Sequence, residues 1–265
     1  MYFSQIPKIT SLGGMGFADL ANIGNSSYTL TVGFVLPGKT ATEATAFTQP
    51  IYASLRSLGL NISDPPTQTI PYANPAYNGS DSSGKSNRFF SSRLVPRANW
   101  ADPALFNKTV AAIRSAVVDG GLTYRCRNFG PSLKAGGYLA DFAGVNPAFR
   151  ESLMHATVQI PQSMDRTTTT PAQFRERVAV LERHMDAIRA LTPGSGAYIN
   201  EAEVTEPGWQ KCFFGANYER LLAVKKTVDP WGLFWAPATV GSEPWAVRSV
   251  DGLPTQNGPL CRVES

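Results

Sequence analysis

Eight residues, Leu153 to Ile160, constrain this chain more than any other stretch. The run Leu-Met-His-Ala-Thr-Val-Gln-Ile alternates with a period of two, so successive side chains point to opposite faces of a strand. The even positions Met154, Ala156, Val158 and Ile160 are apolar throughout and must face a core. The odd positions put His155, Thr157 and Gln159 beside Leu153, and this polar face must turn to water or a cavity. A strand with one dry face and one wet face belongs to a sheet covered on one side only. That is the arrangement of antiparallel sheets rather than of buried parallel ones.

The other periodic segments agree. Ser27 to Leu36 and Leu122 to Phe129 alternate and are rich in β-branched and aromatic residues, as strands are. Pro103 to Val118 repeats Leu105, Val110, Ile113 and Val117 at helical spacing. Thr170-Pro171-Ala172-Gln173 combines a threonine cap, proline at the first helical position and glutamine at the third, a capping box. Behind it, Phe174, Val178, Leu181, Met185 and Ile188 form an apolar stripe, and Pro193-Gly194 ends the helix. Thr42 to Leu58 reads as a helix with Phe47, Ile51, Leu55 and Leu58 inward, Gly59 as its stop and Pro50 as a bend or break. The cluster Gly13-Gly14-Met15-Gly16 has no strand pattern before it, so residues 11–24 read as a loop. Residues 60–100 form a long loop rich in Pro, Ser, Asn and Gly. The expected class is α+β: one antiparallel sheet with helices packed on one face, the other face left to a ligand or another domain.

Composition excludes several functions. The 265 residues suffice for a proper core. Net charge is +4 and the basic residues are scattered, which argues against nucleic acid as a partner. No apolar run approaches the ~18 residues of a membrane span. Cys126, Cys212 and Cys261 are odd in number and widely spaced, with no metal-ligand pattern; either two pair, or one once paired with a segment not in this sequence. Cys212, between Lys211 and Phe213, reads as a buried free thiol. There is no Gly-x-Ser-x-Gly elbow and no P-loop. Met1 to Pro7 has neither a basic leader nor an apolar run, so it does not read as a signal peptide. Asn-x-Ser/Thr triplets at Asn25, Asn61, Asn78 and Asn107 nevertheless suggest glycosylation and an ancestor in the secretory pathway.

The stretch Gly196 to Trp245 reads as a short strand-like piece (Ala197-Tyr198-Ile199-Asn200), then a helix, then an aromatic exit. Tyr218, Leu221, Leu222 and Val228 share one side of that helix, with Lys225 and Lys226 at its negative end. Asp229-Pro230 stops it, and Trp231, Phe234 and Trp235 are expected to pin the exit by burial. Glu201 and Glu203 read as surface carboxylates or helix caps.

The series Tyr198-Ile199-Asn200-Glu201, Trp209-Gln210, Phe214-Gly215-Ala216-Asn217-Tyr218, Leu221-Leu222, Lys225, Asp229-Pro230, Phe234 and Gly241-Ser242-Glu243-Pro244-Trp245 resembles the C-terminal signature of the berberine bridge enzyme-like FAD-linked oxidases, in the vanillyl-alcohol oxidase superfamily. Leu260-Cys261-Arg262, and Asn146-Pro147-Ala148-Phe149-Arg150 followed by His155, resemble the fungal branch. Phe89 to Pro96 looks like that family's return into its sheet domain. The resemblance implies a substrate-binding domain over 1–195 and a C-terminal berberine-bridge-type segment over 196–265. It also implies FAD as the cofactor, a small organic substrate, Tyr198 as catalytic base, His155 and Gln159 lining the substrate cavity, and Asn200 bonding flavin or holding the tyrosine. The family's N-terminal half carries the glycine-rich flavin loop and, in many members, a flavin-linked histidine and cysteine. None of these is found in this sequence, so the N-terminal FAD-binding domain is expected to be absent, and FAD need not bind this chain alone. Three readings follow: a truncated oxidase, a half that pairs with a separate FAD-binding chain or with its own copy, or a flavin-free protein or cyclase that reuses the cavity.

Overall fold

The computed structural model describes residues 1–63, 67–69, 89–131, 143–255 and 258–263. Asn78 and much of the long polar loop lie outside the described residues. The centre is a five-stranded antiparallel sheet. Its strands are β1 (Met15–Gly24), β2 (Ser27–Val35), β3 (Phe90–Pro96), β4 (Thr123–Asn128) and β5 (Ser152–Gln159), in the order β2-β1-β4-β5-β3. The helices are α1 (Ile6–Ser11), α2 (Ala41–Arg56), α3 (Ala98–Ala101), α4 (Pro103–Val118), α5 (Ala148–Glu151), α6 (Pro171–Ala190), α7 (Trp209–Phe214) and α8 (Tyr218–Val228). A hairpin of β6 (Trp245–Val247) and β7 (Leu260–Arg262) completes the described chain.

Register fixes the two faces. Ala18, Cys126, Ala156 and Arg93 lie in one row across β1, β4, β5 and β3. This row and its neighbours Tyr124, Met154 and Val158 are buried under Ile113, Ala116 and Val117 of α4 and Leu181, Met185 and Ile188 of α6. The opposite face carries the row Phe17, Arg127, His155, Leu94 and the row Asp19, Arg125, Thr157, Ser92. Helices therefore cover one face, as the alternation of β5 required. The capping box of α6 is formed: Gln173 N–H donates to Thr170 Oγ1 and Thr170 N–H donates to Gln173 Oε1.

Several local expectations are corrected. Residues 15–24 form strand β1 rather than a loop. The first inward position of β1 is glycine because another group fills its space: a Cβ on Gly16 would sit 2.9 Å from the Tyr2 hydroxyl. Glycine there serves packing, which is why strand propensity missed it. Pro50 neither breaks nor splits α2, which stays continuous, and Leu58 lies beyond its end and is exposed. Tyr198 is extended but leads into a 3-10 turn over Ile199–Glu201, not a strand. Val228, Trp231 and Phe234 are exposed, so aromatic burial does not pin the exit from α8. The Asp229 carboxylate shapes it instead, pairing with Lys225 and accepting from the Leu233 and Phe234 N–H groups. No pair of the three cysteines is bonded.

Leu181 is fully buried between sheet and helices. Leu181→Ala is expected to lower unfolding free energy by about 2–5 kcal/mol. Urea titration checks this, and a loss under about 1 kcal/mol would show that α6 does not carry the core.

Candidate functional site

The outward face of β5 does not open to bulk water at its centre. His155, Thr157 and Gln159 are polar yet buried. The cover comes from the C-terminal segment. Leu94 N–H of β3 donates to Gly196 O at 2.8 Å, and Ser195 Oγ donates to Leu94 O at 2.6 Å. The chain thus runs along the edge of β3 and then folds Tyr198 over the face. The rings of Tyr198 and His155 meet edge to face at 5.9 Å, and Phe149 packs on Tyr198 at 5.8 Å. Gln159 shares the face but lies four residues along β5, about 13 Å from His155 at a strand's rise. Tyr198 and His155 are brought together; Gln159 belongs to the same wall, farther away, with Thr157 between.

Asn200 Nδ2 donates to Tyr198 Oη at 2.8 Å, which leaves the phenol proton free to turn to a ligand. Asn200 also lines a cleft of about 590 Å³ with Ile199, Phe214, Phe234 and Trp235. Neither Tyr198 nor His155 lines that cleft, and Asn200 joins the two by its bond to Tyr198 Oη. Burial, aided by the Arg127 charge, pushes His155 down to about 4. Its Nδ1 lies 3.5 Å from the half-exposed Glu201 carboxylate, and its buried Nε2 has no partner. A carboxylate beside Nδ1 favours the proton there, so Nε2 offers a lone pair to the site. Ser92 Oγ and Arg125 Nε, on the same face, are likewise buried and unpartnered. Among the described residues no His/Cys/Asp/Glu cluster could hold a metal.

Two features that sequence reasoning missed hold Tyr198 in place. The first is Asn146. Its Nδ2 donates to Cys212 O at 2.7 Å and its Oδ1 accepts from Ala148 N–H at 2.9 Å. Gly196 and Gly215 flank this amide so closely that a Cβ on either would fall within 2.7 Å of it. The second is a buried ionic cluster on the helix side. Arg93 donates to Thr192 Oγ1 and Thr192 O, while Arg189 forks onto Glu206 at 2.6 and 3.0 Å and also reaches Glu182 and Asp186. Cys212 Sγ lies 3.3 Å from Glu206, and burial beside that carboxylate pushes the thiol up to about 12. It is a protonated donor, not a nucleophile. Glu203, expected at the surface, is buried, and burial pushes it up to about 7. The only sequence trace of this cluster is the pattern Glu182, Asp186, Arg189 on one helix face; the partners Arg93 and Glu206 are distant in sequence.

Asn146→Ala removes two buried bonds, and Cys212 O keeps only the Ala197 N–H as donor, so a loss of about 1–3 kcal/mol is expected. Calorimetry reads the loss, and broadening of the Tyr198 ring resonances would accompany it. The pH response of His155 has a definite sign. Its folded-state pKa lies below the ordinary 6.5, so the stability it contributes is complete above about 6.5 and is lost as pH falls toward about 4. Its ring C–H resonances should stay in the neutral position from pH 7 to 5; a midpoint near 6.5 would contradict a buried, unprotonated ring.

Residues 197–241 match the family described as "Berberine and berberine like". FAD-linked oxidoreductase sor8 of Hypocrea jecorina is 32% identical over 97% of this chain, which spans 42% of that relative. Bifunctional decalin synthase calF of Penicillium decumbens is 30% identical over 92% of the chain and 40% of the relative. The crystal structure of the VAO-type flavoprotein MtVAO615 from Myceliophthora thermophila superposes with a TM-score of 0.73 at 23% identity, covering 99% of this chain and 45% of that one, and shows the shared fold. The chain thus spans less than half the length of the relatives it matches. The chain thus carries a berberine bridge enzyme-like family domain, and its homologues over the portion that it spans are fungal FAD-linked oxidoreductases.

Proposed function

We propose that this chain is the substrate-binding part of an FAD-linked oxidoreductase that oxidises a small organic molecule: an alcohol, a sugar or a secondary metabolite. Residues 1–195 form the substrate-binding portion and 196–265 the C-terminal segment that closes it. One observation carries the reading. Tyr198 Oη and the buried, unpartnered atoms His155 Nε2 and Ser92 Oγ belong to the same outward face of the sheet. Unpartnered buried polar atoms are costly, and a ligand that pairs with them removes the cost.

The residues present fit one end of a flavin and not the whole of it. The outward face could flank a planar ring and Asn200 could bond its edge. In the run Gly13-Gly14-Met15-Gly16, however, Gly14 and Gly16 are used up in packing, since a Cβ on them would meet Leu36 at 2.6 Å and the Tyr2 hydroxyl at 2.9 Å. The run forms no cradle for a diphosphate. The diphosphate would be held by the part of the fold that the relatives have and this chain does not span, supplied by a longer form, a separate chain or a second copy. The exposed Val224, Val228, Trp231, Leu233 and Phe234 offer an apolar surface for such a neighbour. FAD, when bound, would accept a hydride. Tyr198, acting as the phenolate after giving up its own proton, would take the substrate's hydroxyl proton at Oη, with Asn200 donating to the same oxygen. Neutral His155 would accept a hydrogen bond at Nε2 and orient the substrate, and Gln159 and Thr157 would line the farther end of the wall. The exposed Asn25 and Asn61, and Asn107 on α4, would carry glycans if the protein passes through the secretory pathway; Asn107 is the least suited, because the Thr109 hydroxyl of its triplet is bonded inside α4.

A second reading follows from the name of one relative. A bifunctional decalin synthase is 30% identical to the chain, and a cavity that only orients a reactive polyene can speed its cyclisation. The two readings part at Tyr198, which is a base in the first and a wall in the second. In a flavin-reconstituted complex, Tyr198→Phe is expected to lower turnover by about 10²–10⁴, with the unfolding midpoint nearly unchanged. Full oxidase activity in Tyr198→Phe would remove the base assignment. Product formation by a colourless protein would favour the cyclase.

A further inference from the structure

Beside His155, on the side away from Tyr198, two arginines share one carboxylate. Arg127 is the cross-strand partner of His155, and Arg125 is the partner of Thr157. Asp19, on β1, stands opposite Arg125. Its oxygens are 3.6 Å from Arg125 Nε and from Arg127 Nη1, close enough for attraction and too far for good hydrogen bonds. Arg125 Nε is buried with no hydrogen-bond partner, and so is Asp19 Oδ1. Two cations against one anion leave a positive excess at this side of the face. The opposite side carries Glu201 near His155. The field across the site therefore runs from positive at β4 to negative at the 3-10 turn.

The platform beneath is flat and aromatic. The Arg127 guanidinium lies 5.4 Å over the Phe17 ring. Phe17 lies across Gly33 of β2, where a Cβ would fall 2.1 Å from the ring. A ring spread over a glycine holds the stacked guanidinium in place. Both guanidinium groups lean from β4 toward Phe17 and Asp19 of β1, and neighbouring strands are about 4.8 Å apart, so an anion that they hold lies up to about two strand spacings from β5, and a two-ring body extends from it toward His155 Nε2.

We propose that Arg125 and Arg127 form an anion-binding wall of this site, and that its substrates are small planar organic acids held by a carboxylate at β4. The inference rests on the outward sheet face being the substrate site. It adds the class of substrate and two specificity-determining residues. The carboxylate would replace the poor Asp19 contacts with charge-assisted bonds from two guanidinium groups, while the far end of the ligand meets His155 and Tyr198.

The test uses the 265-residue chain and two probes of equal shape, 1-naphthoate and 1-naphthylmethanol, followed by calorimetry and by the ring resonances of His155. The acid is expected to bind about tenfold tighter or more than the alcohol, the size of a charge-assisted bond. That preference should shrink as salt rises, and should disappear in Arg125→Gln, in Arg127→Gln or in the double variant. Both side chains are partly exposed, so the single variants are expected to fold and carry the test if the double one does not. Equal binding of both probes, with His155 shifted by each, would overturn the anion wall and leave the sheet-face site standing. A preference for the acid that survives both single variants would overturn the assignment to these arginines. Failure of both probes to move His155 would overturn the site and the wall together.

Discussion

The structure turns on one side-chain amide. Asn146 sits just before α5 and β5, and its two polar atoms bind Cys212 O of α7 and the Ala148 N–H. Through that amide the strand carrying His155 and the segment carrying Tyr198 are held at a fixed distance. Gly196 and Gly215 lack side chains where the amide must fit. Beside it the Leu94 N–H bonds Gly196 O, so the segment is also tied to the sheet edge. These bonds are buried, where an unpaired partner is expensive. The position of Tyr198 over His155 follows from them.

The ionic cluster behind the sheet supports the same segment from the other side. Arg93 belongs to the inward face, where neighbouring rows are apolar, and its charge is buried. Burial pulls its pKa down, and the charge is retained by bonds to Thr192 and by the attraction of the nearby Cys212 and Glu206. Glu206 is in turn forked by Arg189. Breaking one partner of such a network leaves a buried charge without compensation, which costs far more than the intact network contributes. The loop from Glu201 to Glu206 is therefore bound at Glu206 on the helix side, and it approaches His155 through Glu201 on the other.

The two faces of the sheet differ in how far their polar groups are paired. The inward face is packed with Tyr124, Met154, Ala156 and Val158 under α4 and α6. The outward face keeps polar groups that the protein itself does not satisfy, at Ser92, His155, Arg125 and Asp19.

Several features were legible in the residues alone. The period-two run at 153–160 determined a two-faced strand, and the capping box with its stripe determined α6, because side-chain direction and helix-end hydrogen bonding are local matters. The motif series from Tyr198 to Trp245 pointed to the family. What only the tertiary structure decided depends on contacts distant in sequence. Strand β1 hid behind the Gly13-Gly14-Met15-Gly16 cluster, in which Gly16 is small because Tyr2 and Asn128 need the room. Tyr198 reaches His155 from a turn, not a strand, because Asn146 and Leu94 direct the chain there. Arg125 and Arg127 looked like ordinary strand arginines until the register set them opposite Thr157 and His155. Trp231 and Phe234 looked like core until the fold left them exposed. Composition records that a side chain is apolar or charged; which neighbour it meets is decided when the strands pair.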